Sequence, residues 1–123
     1  MKNEIEEFLA YLQKTEAYDE EQSFSYWPVE GCPSVTCCTN GARLIAKRFG
    51  GVIRGYSCSS VQDPRVGAWS YGHDFAIVGQ YLVDYWGAFV DECLPTAVFH
   101  LIGDADLITR LYGRPSTWVA VPF

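Results

Sequence analysis

One stretch in the first half of the chain, from Cys37 to Gly51, constrains the fold more than any other. Apolar residues recur along it at the spacing of a single helix face, namely Cys38, Ala42, Ile45 and Phe49. Two basic residues and a Gly-Gly pair close the stretch, which suits the negative end of a helix dipole and a left-handed C-cap. The pattern therefore predicts a helix that presents one face, including a thiol, to a core.

The position of the thiol in this helix bears on its chemistry. We expect Cys38 to lie in the first turn, with Ser34 or Thr36 as the N-cap. Unpaired backbone N–H groups and the positive end of the dipole favour thiolate over thiol at such a position. Cys38 is therefore a candidate nucleophile. The adjacent Cys37 is a second candidate, although it lies off the apolar face and is expected to be more exposed.

Length and charge exclude several classes of protein. With 123 residues, 49% of them hydrophobic, the chain suits one domain, residues 1–123, with a real core. The formal net charge of −6 argues against nucleic-acid or anionic-membrane partners, since both require basic patches. The acidic N-terminus lacks the pattern of a signal peptide, and no apolar run is long enough to span a membrane. A cytoplasmic location is expected, while secretion by a dedicated system would leave no trace in the sequence.

The cysteines do not form a recognisable framework. There are five, an odd number at irregular spacing: Cys32, Cys37, Cys38, Cys58 and Cys93. This usage is typical of reduced thiols. Neither zinc-ligand spacing nor a nucleotide-binding loop is present, so we expect no metal and no cofactor. The cysteines at 32, 58 and 93 are interpreted as structural, and His100 as a hydrogen-bonded structural histidine.

Periodicity and turn residues predict the elements that precede and follow the central helix. They are a helix over 3–14, a short strand or extended arm over 23–27, strands over 52–58, 73–78, 81–86 and 97–102, a helix over 104–112 and a closing strand over 117–121. Short strands that are joined by tight turns pair antiparallel. The order of elements therefore predicts an α+β fold, with a mainly antiparallel β-sheet packed against the central helix.

The strands at 73–78 and 81–86 are joined by Gly79-Gln80, a two-residue hairpin signal. Folding the chain about this turn brings His73 near the register of Asp84 to Trp86. A carboxylate in an apolar strand needs a partner, and His73 is the nearest candidate for Asp84. Asp74 is the substitute if the register is shifted by one residue, because a shift turns every side chain to the other face.

These residues together resemble the core of the papain-like and transglutaminase-like cysteine enzymes. The resemblance spans residues 31–86 and rests on Cys38 and Ala42 in the helix, the Gly50-Gly51 helix end with the strand after it, Gly72-His73 opening one strand and Leu82-Val83-Asp84 closing the next. In that superfamily a helix-borne Cys, a strand-borne His and an Asp or Asn form a triad in this order. The resemblance implies that Cys38 is the nucleophile, His73 the base and Asp84 the orienting acid.

The resemblance also implies a reaction and a substrate. A peptide or protein amide would form an acyl-enzyme, resolved by water in a protease or deamidase, or by an amine in a transglutaminase-like acyltransferase. By analogy with small papain-like effectors, a bacterial or mobile-element protein is expected. A papain-type enzyme has an oxyanion-hole Gln where this chain has Cys32, so the donor here is open among the helix amides, Gln22, Ser34 and a tryptophan indole.

Residues that flank the expected triad in sequence are candidates for a substrate cleft. They are Cys37, Trp69, Tyr71 and Trp86. The same residues also suit the core of a small domain, and Cys38 itself suits a buried structural position. The alternative function is therefore a non-catalytic module of the same fold that binds a ligand or a protein, or that forms an oligomer. The sequence leaves the oligomeric state open.

Overall fold

The computed structural model describes residues 1–14, 33–57, 72–90 and 94–122, with the backbone alone at 33–37, 57 and 90. The strand or arm expected at 23–27 lies outside the described residues. In chain order, the elements are α1 (Lys2–Lys14), α2 (Pro33–Phe49), β1 (Val52–Ser57), β2 (Gly72–Val78), β3 (Tyr81–Val83), a π-helix (Trp86–Val90), β4 (Val98–His100), α3 (Ala105–Tyr112), a 3₁₀ turn (Pro115–Thr117) and β5 (Val119–Val121).

The strands of the described residues form one antiparallel sheet with the order β4-β3-β2-β1-β5. Every neighbouring pair is antiparallel, and β2 occupies the centre. The predicted α+β class with an antiparallel sheet is therefore confirmed. The first residues of β2 pair with β1, and the Asp74 amide among them contacts Cys38 of the central helix.

The hairpin between β2 and β3 turns at Gly79-Gln80, as predicted. Gly79 has a φ of 58°, a left-handed conformation that costs glycine little, and Val78 lies opposite Tyr81. The strand predicted to run to residue 86 instead ends at Val83. The Asp84 N–H still donates to the Ala97 carbonyl at 2.8 Å, and the chain then turns into the π-helix. Asp84 therefore lies at the end of the sheet.

The central helix α2 begins earlier than its apolar pattern predicts. It starts at Pro33, and a proline suits this position because its missing N–H would be unpaired there. The prediction that Cys38 lies in the first turn, capped by Ser34 or Thr36, is therefore wrong. Cys38 lies in the second turn, beyond the unpaired N–H groups of the helix start. The predicted left-handed C-cap is confirmed, because Gly50 has a φ of 72°.

Helices cover both faces of the sheet. The core on one face joins α1 and α2 to the sheet through Ile5, Leu9, Leu12, Ala42, Ile45, Ile53, Ala76, Val78 and Val83. The core on the other face joins α3 to the sheet through Tyr56, Phe75, Leu82, Phe99, Ile108 and Tyr112. Neighbouring residues along a strand point to opposite faces. His73 therefore shares the α3 side of β2 with Phe75, whereas Asp74 shares the α2 side with Ala76.

Candidate active site

Asp84 is a buried carboxylate with three hydrogen-bond donors. His73 Nε2 lies 2.7 Å from Asp84 Oδ2, and the Tyr112 hydroxyl donates to the same oxygen at 2.8 Å. The backbone N–H of Gly87, in the π-helix, donates to Oδ1 at 2.9 Å. Both carboxylate oxygens are thus bonded, which is the condition under which a buried charge is tolerated. The donors come from β2, the π-helix and α3, so Asp84 links three elements.

The His73 imidazole is held in its charged form. Burial alone would lower the pKa of His73, but the charge and hydrogen bond of Asp84 outweigh it, with a smaller contribution from Cys38. The net effect raises this pKa from 6.5 to about 10. At neutral pH the ring is therefore an imidazolium paired with a carboxylate.

Aromatic rings surround the imidazole. The His73 ring centroid lies 5.5 Å from that of Trp86 and 6.2 Å from that of Tyr112, which it stacks on at an interplanar angle of 22°. Phe75 is a third neighbour at 6.2 Å. These rings restrict the rotation of the imidazole and keep water from its faces. Trp86, expected in the sequence as a cleft residue, thus contacts the histidine of the expected triad.

Cys38 joins the same hydrogen-bonded chain from α2. Its side chain is a hydrogen-bond partner of His73, and its sulfur accepts the backbone N–H of Asp74 at 3.4 Å. Since Nε2 of His73 is bonded to Asp84, Nδ1 is the ring nitrogen left for the sulfur. The amide that supports the sulfur therefore comes from β2, and not from the helix start as the sequence suggested. The thiol side chain is 2% exposed.

The sequence left two carboxylates as partners for His73, and the structure separates them. Asp84 bonds the ring, whereas Asp74 accepts a hydrogen bond from Thr39 Oγ1 on the α2 side of the sheet. Burial raises the pKa of Asp74, opposed by the Thr39 hydrogen bond and the His73 charge. The hairpin therefore brings Asp84, and not Asp74, to the His73 ring.

Several residues considered in the sequence lie elsewhere or outside the described part of the chain. Trp69, Tyr71 and the side chain of Cys37 are among the latter, as are Cys32, Cys58 and Cys93. His100 is the last residue of β4, and its Nδ1 accepts the N–H groups of Ile102 and Gly103 in the turn that follows. Its structural interpretation agrees with these bonds. No cluster of three or more metal-ligating side chains occurs among the described residues.

Sequence reasoning missed Tyr112, Thr39 and the Gly87 amide. A helix was predicted around Tyr112, and a tyrosine on an apolar helix face needs a partner for its hydroxyl. The sequence therefore predicts that the Tyr112 hydroxyl has a hydrogen-bond partner, but it does not identify Asp84 as that partner. Thr39 follows the thiol directly, but its contact with β2 depends on how α2 sits on the sheet. The Gly87 amide has no signal in the sequence.

Comparison of the chain with protein-family models, with curated proteins and with solved structures finds no match. Across the described ranges, no helix combines the length and the apolar character needed to cross a membrane.

Proposed function

We propose that the protein is a cysteine hydrolase or acyltransferase with a papain/transglutaminase-like core, acting on an amide of a peptide or protein. Cys38 is the nucleophile, His73 the acid–base group and Asp84 the orienting acid. One observation carries the proposal, the buried hydrogen-bonded chain from Cys38 through His73 to Asp84. It supplies the nucleophile, base and orienting group that covalent catalysis requires.

Proton placement favours attack by the sulfur. Because the His73 pKa is raised to about 10, the imidazolium is present at neutral pH and can stabilise a thiolate beside it. The Cys38 sulfur then forms a bond to the carbonyl carbon, and the carbonyl electron pair moves onto oxygen. His73 gives its Nδ1 proton to the leaving nitrogen as the C–N bond breaks. The product is a thioester on Cys38 and a free amine.

The second half of the reaction returns the enzyme to its starting state. The now neutral His73 takes a proton from water or from an acceptor amine as that nucleophile attacks the thioester carbon. The C–S bond breaks, the thiolate is restored and the proton remains on His73. Asp84 keeps the ring oriented throughout, because Tyr112 and the Gly87 amide hold its two oxygens.

A non-catalytic binding module is the second candidate, and one observation favours it. Cys38 is 2% exposed, the burial expected of a thiol that serves as a small apolar side chain. In that case His73 and Asp84 form a structural ion pair. The two functions predict opposite results for covalent chemistry at the sulfur.

Acylation by an activated ester separates the two functions. We expect p-nitrophenyl acetate to acetylate Cys38 in the full chain, with the modified peptide identified by mass spectrometry. Cys37→Ser is the matched control and should react like the wild type, whereas Cys38→Ser and His73→Ala should not form the thioester. Absence of acetyl-Cys38 in the wild type, or its persistence in His73→Ala at the wild-type rate, would refute the catalytic function.

A further inference from the structure

Two consecutive residues of α2 contact two consecutive residues of β2. Cys38 contacts His73 and the Asp74 amide, and the next residue, Thr39, donates from Oγ1 to Asp74 Oδ2. We propose that the Thr39–Asp74 hydrogen bond is a positioning element that holds the Cys38 sulfur at the His73 imidazole. The inference rests on the proposed function and assigns residues that act through the nucleophile.

The two faces of the sheet explain why the sulfur needs such an element. His73 points to the α3 side of β2, whereas α2 packs on the other side. The apolar contacts of Ala42 and Ile45 hold α2 against the sheet, but apolar packing is non-directional and permits small sliding movements. A hydrogen bond is directional and short in range. The bond from Thr39 to Asp74 therefore fixes the helix at the turn that carries the thiol.

A glycine in the neighbouring strand makes room for the Asp74 carboxyl. Gly55 of β1 lies opposite Asp74 in the antiparallel register. A Cβ at Gly55 would collide with Asp74 Oδ1 and would lie 3.0 Å from the His73 carbonyl oxygen. No positive φ requires glycine at this position. The space above Gly55 is therefore used by the carboxyl that receives the Thr39 hydrogen bond.

The carboxyl occupies this place at an energetic cost. Burial raises the pKa of Asp74, while the Thr39 hydrogen bond and the His73 charge partly offset the effect. An apolar or hydroxyl side chain at position 74 would also fit the strand, and it would avoid the cost of burying a carboxyl group. The hydrogen bond beside the thiol thus depends on three elements. Thr39 of α2 donates it, Asp74 of β2 accepts it, and Gly55 of β1 leaves room for the acceptor.

The test measures the rate at which iodoacetamide modifies Cys38 in the full chain at neutral pH, with the site mapped by mass spectrometry. Thr39→Val removes the donor and should slow the reaction about tenfold, while Thr39→Ser keeps it and should stay within about twofold of the wild type. Gly55→Ala displaces the carboxyl and should slow the reaction to a similar extent. Its control is Gly103→Ala, where a Cβ would make only ordinary contacts.

Each outcome supports or overturns the positioning role. Thr39→Val and Gly55→Ala rates equal to the wild type would overturn it, as would a Thr39→Ser rate as low as that of Thr39→Val. If Thr39→Val does not fold, the comparison of Gly55→Ala with Gly103→Ala tests the same hydrogen bond. A wild-type Cys38 that reacts no faster than the other cysteines would refute the proposed function itself, and the positioning role with it.

Discussion

His73 Nε2 lies 2.7 Å from Asp84 Oδ2, and both side chains are buried. His73 belongs to β2, and Asp84 follows the end of β3, so the hairpin alone brings them together. Burial opposes the charge of the imidazole, and Asp84 contributes most among the groups that favour it. The ion pair has consequences for stability as well as for chemistry, and both are measurable.

In Cys38→Ser, stability should fall as the pH rises from neutral. Folded His73 keeps its proton up to a pH of about 10, whereas the unfolded chain releases it near 6.5. The stabilisation is therefore complete below the unfolded pKa and is lost as the pH rises through the folded pKa. In the wild type, the proton that Cys38 loses on forming a thiolate in the folded state would offset the proton that His73 keeps. In Cys38→Ser no thiol is present, so we expect the free energy of unfolding in urea to fall by on the order of 1 kcal/mol per pH unit across this window. Urea titrations between pH 7 and 9 measure it.

Replacement of Asp84 should remove that pH dependence. In Asp84→Asn, made in the Cys38→Ser background, burial acts on His73 without the compensating charge, so the folded state no longer holds the extra proton. The free energy of unfolding should then be lower at pH 7 and nearly constant to pH 9. The control is Asp106→Asn in the same background, an exposed position on α3, which should keep the slope of Cys38→Ser. Equal slopes in Cys38→Ser with and without Asp84→Asn would contradict the assignment of the proton to this pair.

Tyr112 should stabilise the fold through its hydroxyl. Tyr112→Phe keeps the ring stacked on His73 but removes the donor 2.8 Å from Asp84 Oδ2. We expect a loss of roughly 1.5–3 kcal/mol in the free energy of unfolding, as for a buried hydrogen bond to a charged group. Tyr11→Phe, at a tyrosine 52% exposed, should change stability little. Equal effects of the two substitutions would argue that the Asp84 contact contributes nothing.

His100 should stabilise the turn between β4 and α3. His100→Ala leaves the N–H groups of Ile102 and Gly103 without their acceptor, and a loss of about 1 kcal/mol is expected at this partly exposed site. Gln80→Ala removes only the partner of Nε2, 3.2 Å away, and should cost less. Thermal unfolding of the two variants compares them. A larger loss of thermal stability in Gln80→Ala than in His100→Ala would show that the bonds to Nδ1 do not stabilise the turn.

Local signals in the sequence predicted most of the fold. The apolar stripe of α1, the Gly79-Gln80 turn and the glycine at the end of α2 are properties of neighbouring residues, and each of these predicted features is present. The early end of β3 was not predictable in this way. Residues Tyr85 and Trp86 have the composition of a strand, but their backbone enters a π-helix where Gly87 bonds Asp84.

The candidate site could be predicted only where one hairpin defines it. His73 and Asp84 are related by a two-residue turn, so their proximity follows from register. The support of Cys38 involves α2 and β2, which are far apart in the chain, and the wrong helix start led to the wrong source for its amide. Tyr112 lies still further along the chain. Such contacts depend on tertiary packing, which cannot be predicted from a local sequence pattern.

The pH dependence of Cys38 alkylation by iodoacetamide tests the central claim most directly, with the wild type compared against His73→Ala. An ordinary thiol ionises near pH 8.5, so its rate rises more than tenfold between roughly pH 6.5 and 8.5. If His73 holds Cys38 as a thiolate, the wild-type rate should change little over this range and His73→Ala should regain the ordinary rise. A wild-type profile that matches His73→Ala, with the steep rise of an ordinary thiol, would contradict the thiolate–imidazolium pair and the catalytic function that depends on it.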